Sequence, residues 1–202
     1  NKQAEVHWAY QPVVKPAVPT VKHREWVANE VDSFIVAGYE KKNLTPAPLA
    51  NRATLLRRIS YDLIGLPPTP AELALFVGDS APNDYEKVVD RLLASEQHGV
   101  NYARHWLDIL RYADVDEGMP AASGIYRWRE WIIHSLNKDL GYDQFVKMQL
   151  MGDLMDDPAA MFATGFLARG ADAEKDEKRS LAFAAVETAT TAFLGATVGC
   201  AK

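Results

Sequence analysis

The chain has 202 residues, of which 48% are hydrophobic and 24% are charged, a composition typical of a globular protein with a sizeable core. The formal net charge is −5 and no run of Lys and Arg stands out, which argues against nucleic-acid binding and against attraction to anionic membranes. A single cysteine excludes an internal disulfide. The most apolar stretch, residues 180–199, contains Glu187 and several threonines, so we expect a buried helix there and no membrane span.

The N-terminal segment is predicted to form an extended arm. Pro12, Pro16 and Pro19 prevent a continuous helix, because proline lacks an amide N–H and restricts the residue before it. Beyond this segment, hydrophobic residues recur at helical spacing. We therefore predict two parts: a Pro-rich arm over residues 1–28 and a single helical domain over residues 29–202.

Successive amphipathic segments predict a compact, multi-helix, all-α fold with short connections. The clearest start signal is Thr69, which can cap a helix with Pro70 at its first position and Glu72 completing a capping box. Gly65 is a suitable stop for the preceding helix. In chain order, the predicted helices lie near residues 29–43, 51–65, 70–77, 82–95, 101–114, 125–139, 142–155, 157–170 and 180–199.

Residues 103–114, "ARHWLDILRYAD", carry the densest set of polar functional side chains. On a helix, Arg104, Asp108 and Arg111 lie three or four positions apart and share one face. They form either a surface ion-pair ladder or a partly buried network that organises a site. His105 points elsewhere, and a lone histidine in this setting is more often a hydrogen-bonded structural residue than a ligand.

An acidic loop follows this helix, with Asp114, Asp116 and Glu117 close together. Carboxylates with this spacing can converge on calcium, although the rest of a calcium-loop pattern is missing. A solvated acidic loop explains the same residues, and paired carboxylates also suit acid–base catalysis. The residues alone leave all three interpretations open, and no other metal site is indicated.

Residues 126–133, "YRWREWII", alternate aromatic and basic side chains. Arg127 and Arg129 lie on different faces of the predicted helix. Either arginine could hold a sugar or an anion, because a guanidinium stacks on rings and forks onto carboxylates. The interpretation we favour is a core helix whose arginines pair with Asp108 or Asp114.

The order of motifs along the chain resembles that of a known family. The segments that carry the likeness are "RRISYDLIGLPPTPAEL", "YEKVVDRLLAS", "ARHWLDILRYAD", "YDQFVKMQLMGDL", "ATGF" and "FLGATVGCAK". On these segments the chain resembles the cytochrome-c-associated domain of unknown function found in large secreted proteins of planctomycetes and related bacteria. The resemblance spans nearly the whole chain, and it implies a periplasmic or extracellular location and a longer parent protein.

Cys200 is the residue through which the resemblance implies a haem cofactor. Family members continue with a second cysteine and a histidine, which completes the C-x-x-C-H motif for covalent haem attachment. The resemblance implies haem c in the longer parent, with Cys200 forming one thioether, but not on this chain alone. It also implies partners, namely other domains of the same parent or an extracytoplasmic redox partner.

Three functions stay open, and whether the chain is an enzyme is undecided. The first is a helical domain of an extracytoplasmic c-type cytochrome-type protein that supports electron transfer or haem attachment. The second is a glycan-related enzyme domain with Asp114 and Arg127 as catalytic residues. The third is a structural docking module without catalysis. The accompanying binding network would comprise Arg104, His105, Asp108, Arg111, Asp116, Glu117 and Arg129.

Overall fold

The computed structural model of the protein describes residues 7–114, 124–168 and 177–198. In these ranges every regular element is a helix and no strand occurs, which confirms the predicted all-α class. Among the described helices, none combines the length and the apolar character that crossing a bilayer requires.

Two compact units make up the chain, Asn1–Ala50 and Asn51–Lys202. The sequence instead predicts a division between an arm over residues 1–28 and a domain over residues 29–202. The difference arises because contacts join the end of the arm to the first helix. The predicted domain limits stay a prediction, since contact density alone does not define an independently folding domain.

The first unit is organised around helix α1, Glu30–Lys41, which Asn29 caps through its side-chain oxygen. Before α1, the described part of the arm contains only short 3-10 turns. The Glu40 carboxylate accepts hydrogen bonds from the backbone amides of Lys22, at 2.6 Å, and His23, at 3.0 Å. These bonds lower the pKa of Glu40 and fasten the end of the arm to the helix.

The second unit is a set of helices joined by short loops. In chain order they are α2 (Arg52–Ile64), α3 (Pro70–Gly78), α4 (Asp84–Leu93), α5 (Glu96–Ile109), α6 (Tyr126–Asn137), α7 (Tyr142–Met151) and α8 (Glu177–Ala189). The described non-α turns are the 3-10 segments Gly152–Leu154 and Ala160–Ala168 and the π-helix Thr190–Leu194.

Local signals around α2 and α3 are confirmed. Thr69 and Glu72 form the predicted capping box, in which Glu72 accepts the Thr69 amide at 2.8 Å. Gly65 ends α2 in the left-handed region, with φ +72°. A Cβ there would lie 2.6 Å from Asn101 Oδ1, so both the backbone and the space require glycine.

The core of the second unit lies where α5, α6 and α7 meet the Ala160–Ala168 turn. Trp128, Ile132 and Phe145 are buried there together with Phe166. Helices α5 and α6 form an antiparallel pair, and the ends of that pair carry the polar contacts described below. The core therefore fixes the position of the segments "ARHWLD" and "YRWREW".

Two predicted elements differ from the structure. Residues 160–168 form a 3-10 helix rather than an α-helix, and Gly165 within it lies against the Trp128 side chain. The final helix is not buried throughout, since Val186 is exposed and Leu194 is 75% exposed. The apolar residues of this final helix lie on more than one side of it, so only those on one side pack against the core.

Candidate functional site

The corner between α5 and α6 brings together two of the predicted site residues, Asp114 and Arg129. After α5 the chain turns at Arg111, which has φ +59°. The Arg111 amide donates to Asp108 O at 3.1 Å, and the Tyr112 amide donates to Leu107 O at 2.8 Å. This pattern is a Schellman motif with a non-glycine residue at its left-handed position. It places Tyr112 and Asp114 near the start of α6.

Replacing Arg111 by glycine is expected to stabilise the second unit by about 1 kcal/mol, because a Cβ is unfavourable in the left-handed region. Arg111→Ala keeps the Cβ and should bring little or no gain. Asp139 occupies the same position after α6, with φ +49°, but aspartate tolerates this region better, so Asp139→Gly should gain less. Urea unfolding measures all three, and equal stability of Arg111→Gly and Arg111→Ala would contradict the strain argument.

Asp114 is the centre of the polar contacts at this corner. Its Oδ1 accepts a hydrogen bond from the Tyr112 hydroxyl at 2.6 Å and another from Arg129 Nη1 at 2.8 Å. The Arg129 guanidinium also donates from Nε and Nη2 to Glu130 Oε1, at 3.1 and 3.0 Å. The bonds to Glu130, with the Asp114 charge nearby, raise the pKa of Arg129. The predicted pairing of an α6 arginine with Asp114 is thus confirmed.

Arg127, the other predicted catalytic residue, lies away from this pair. Its guanidinium carbon is 5.3 Å from the centre of the Phe162 ring, a cation–π contact. No described ion pair joins Arg127 to Asp114. The catalytic roles of these two residues stay a prediction, and Asp116 and Glu117, which would complete the acidic site, lie outside the described residues.

The remaining predicted network residues are not brought together. Arg104, His105 and Asp108 are exposed on α5, and none of the described ion pairs contains them or Arg111. His105 makes an edge contact with the ring of Tyr102, with centroids 5.7 Å apart. The ion-pair ladder on α5 therefore does not form within the described structure.

A series of aromatic rings leads from the Asp114 corner through the core. The Tyr112 and Trp128 centroids are 5.5 Å apart, those of Trp128 and Phe166 6.4 Å, and those of Phe166 and Phe193 6.1 Å. Phe193 also lies 6.3 Å from Trp106. Tyr112 is not among the predicted site residues, although its place two residues before Asp114 is a usable signal.

Metal and haem ligands are limited in the described part of the chain. No group of three or more His, Cys, Asp or Glu side chains there could hold a metal ion. The predicted calcium ligands Asp116 and Glu117 fall outside it, as does Cys200. Covalent haem c needs two thiols, and the 202 residues contain one cysteine, so these residues alone do not fit that group.

A cavity of about 840 Å³ lies between α2, α3 and α4, apart from the predicted site residues. Arg52 packs over the Phe76 ring at one side of this cavity and forms an ion pair with Asp84. The hydrogen bond from Arg52 lowers the pKa of Asp84. Because Arg52 and Asp84 satisfy each other, this pair is a packing contact between helices at the cavity wall.

The fold and the α5–α6 corner define an all-α protein with an aromatic core capped by an Asp–Arg pair. The chain belongs to the family described as "PSCyt2: Protein of unknown function (DUF1549)", whose model matches residues 30–202. This confirms the expected membership in a family of unknown function. No curated protein and no solved structure matches the chain significantly.

Proposed function

We propose that the chain is a helical module of an extracytoplasmic c-type cytochrome-type protein, where it supports haem attachment or electron transfer in a longer parent. The observation that carries this proposal is the seating of the C-terminal turn on the aromatic core. The Phe193 ring packs between Phe166, at 6.1 Å, and Trp106, at 6.3 Å. Cys200 follows this anchored turn closely in the sequence.

Hydrogen bonds within residues 186–196 stabilise the local conformation of this turn. The Thr190 hydroxyl donates to Val186 O at 2.8 Å, and the Ala196 amide donates to Thr190 O at 3.1 Å. Gly195 then ends the π-helix in the left-handed region, with φ +62°. A prosthetic group attached shortly after this turn would follow an ordered segment of the chain. Such order is the preorganisation that a prosthetic group needs.

The described residues contribute support rather than haem ligands. The second thiol and the histidine would come from the parent protein. The periplasmic or extracellular location, and a partner that is either a neighbouring domain or a redox protein, are parts of the same proposal. The order of family motifs supports them.

The test is to produce the full-length parent in a host that matures c-type haem and to stain it for haem after denaturing electrophoresis. Covalent haem is expected on the peptide that contains Cys200. Cys200→Ser removes one of the two thioethers and should lower haem loading, whereas Thr197→Ser should retain it. Phe193→Ala should lower the fraction of haem-loaded protein, whereas Leu194→Ala, at an exposed neighbour, should not. Absence of haem from the natural parent, or full loading of Cys200→Ser, would refute the proposal.

The two alternatives have weaker support from the geometry. A glycan-related enzyme would use Asp114 and Arg127, but Arg129 and Tyr112 hold one oxygen of Asp114 and the described cavity contains neither predicted catalytic residue. A docking module without catalysis would use the Asp114–Arg129 pair only as an internal contact between the end of α5 and α6. The support role proposed above includes that structural function.

A further inference from the structure

The turn after α7 and the 3-10 helix near it present exposed apolar side chains. Met151, Leu154 and Met161 are the main ones, and Leu154 is 77% and Met161 61% exposed. We call these three residues the Leu154 face. Exposed clusters of large apolar side chains commonly mark interaction surfaces.

The segments that carry the Leu154 face pack directly on each other. A Cβ added at Gly152 would overlap the carbonyl group of Ala160, so the Gly152–Leu154 turn lies against the start of the Ala160–Ala168 helix. The Thr164 Cγ2 atom would lie 3.2 Å from the same added Cβ. The Leu154 face is therefore carried by two touching segments.

Acidic residues flank this face. Asp153, Asp156 and Asp157 are exposed, and none of them belongs to a described ion pair. Asp157 does accept a hydrogen bond from the Ala159 amide at 2.9 Å, which leaves its charge in place. Three negative charges beside apolar side chains are complementary to a partner that presents apolar residues bordered by Lys and Arg.

We propose that the Leu154 face docks a basic amphipathic helix of another polypeptide. The apolar side chains supply contact area, and the methionines adapt to the shape of the partner because their side chains are flexible. The three aspartates select for positive charge and speed the encounter. This docking is independent of any haem in the parent, since it uses neither Cys200 nor the Asp114 corner.

The test uses a fluorescent amphipathic peptide of leucine and lysine, with a leucine and glutamate peptide of the same apolar repeat as its control. By fluorescence anisotropy, the lysine peptide is expected to bind at least roughly tenfold more tightly than the glutamate peptide, with affinity falling as salt rises. The double variant Leu154→Ser, Met161→Ser and the triple variant Asp153→Asn, Asp156→Asn, Asp157→Asn should each weaken binding by roughly tenfold.

A matched control separates local charge from net charge. The triple variant Asp62→Asn, Glu86→Gln, Asp90→Asn removes the same charge from exposed positions on α2 and α4, and it should bind the lysine peptide like the natural chain. Equal loss in both triple variants, or equal affinity for both peptides, would overturn the proposal. So would self-association of the chain, measured by sedimentation, that the Leu154→Ser, Met161→Ser variant abolishes. Thermal unfolding verifies that each variant is folded.

Discussion

Alanine at Gly165 is expected to destabilise the second unit by about 3 kcal/mol, which is the upper range for overpacking a core. A Cβ at this position would fall well inside van der Waals contact with the Cβ and ring atoms of Trp128. Trp128 is only 2% exposed and lies between the rings of Tyr112 and Phe166. The indole has no space to retreat, so the backbone of the 3-10 helix must shift.

Urea unfolding followed by circular dichroism measures this effect against two matched glycines. Gly78 and Gly38 lie in helices with nothing within 4 Å of an added Cβ, so alanine there should be neutral or stabilising by up to about 1 kcal/mol. Trp128→Phe combined with Gly165→Ala should recover little of the loss, because phenylalanine keeps the Cβ and Cγ atoms that lie nearest the added methyl group. If Gly165→Ala is as stable as Gly78→Ala, the close packing of Gly165 against the Trp128 side chain is contradicted.

The same contact links the core to the candidate site. Trp128 supports the ring of Tyr112, and the Tyr112 hydroxyl donates to Asp114. Movement of the indole in Gly165→Ala would therefore also disturb the hydrogen bond at the corner. The aromatic core is thus part of what positions Asp114.

Local elements could be predicted from sequence because their signals lie within a few residues. The capping box of Thr69 and Glu72 and the glycine stop at Gly65 are such cases, and the structure has both as expected. Helical spacing likewise predicted the all-α class. None of these features depends on how distant segments pack.

The rest of the site depends on packing between segments far apart in sequence. Arg127 and Arg129 are two positions apart, so they project in different directions from α6, and only the packing of α6 on α5 decides which one meets Asp114. The proximity of Gly165 to Trp128 and the 3-10 form of residues 160–168 have the same origin. Sequence periodicity carries no record of such contacts.

Removing the side chain of Asn137 is the second large effect we expect, a loss of about 2–3 kcal/mol in Asn137→Ala. Asn137 Oδ1 accepts the amide of Gly99 at 2.8 Å, and its Nδ2 donates to Glu96 O at 3.0 Å. Gly99 is buried, so its amide would be left without a partner. The close approach also explains the glycine, since a Cβ there would overlap the Asn137 amide group.

Asn137→Asp separates the two bonds, because it keeps an acceptor for Gly99 and removes the donor to Glu96. It should cost about 1 kcal/mol, clearly less than alanine. Urea unfolding gives the free energy of unfolding of both variants. If both lose the same stability, the unpaired amide of Gly99 is not the main cause of the loss in Asn137→Ala.

The contacts at the opposite end of the α5–α6 pair are expected to contribute much less to stability than Asn137 does. Asp114 and Arg129 join the end of α5 to the start of α6, but the Asp114 carboxylate is 69% exposed. An exposed ion pair is worth about 0–1 kcal/mol, so Asp114→Ala should barely change stability, whereas Asn137→Ala should change it strongly. If the same unfolding experiments bear this out, Asn137 holds the α5–α6 pair together. Asp114 is then available for a role other than stability.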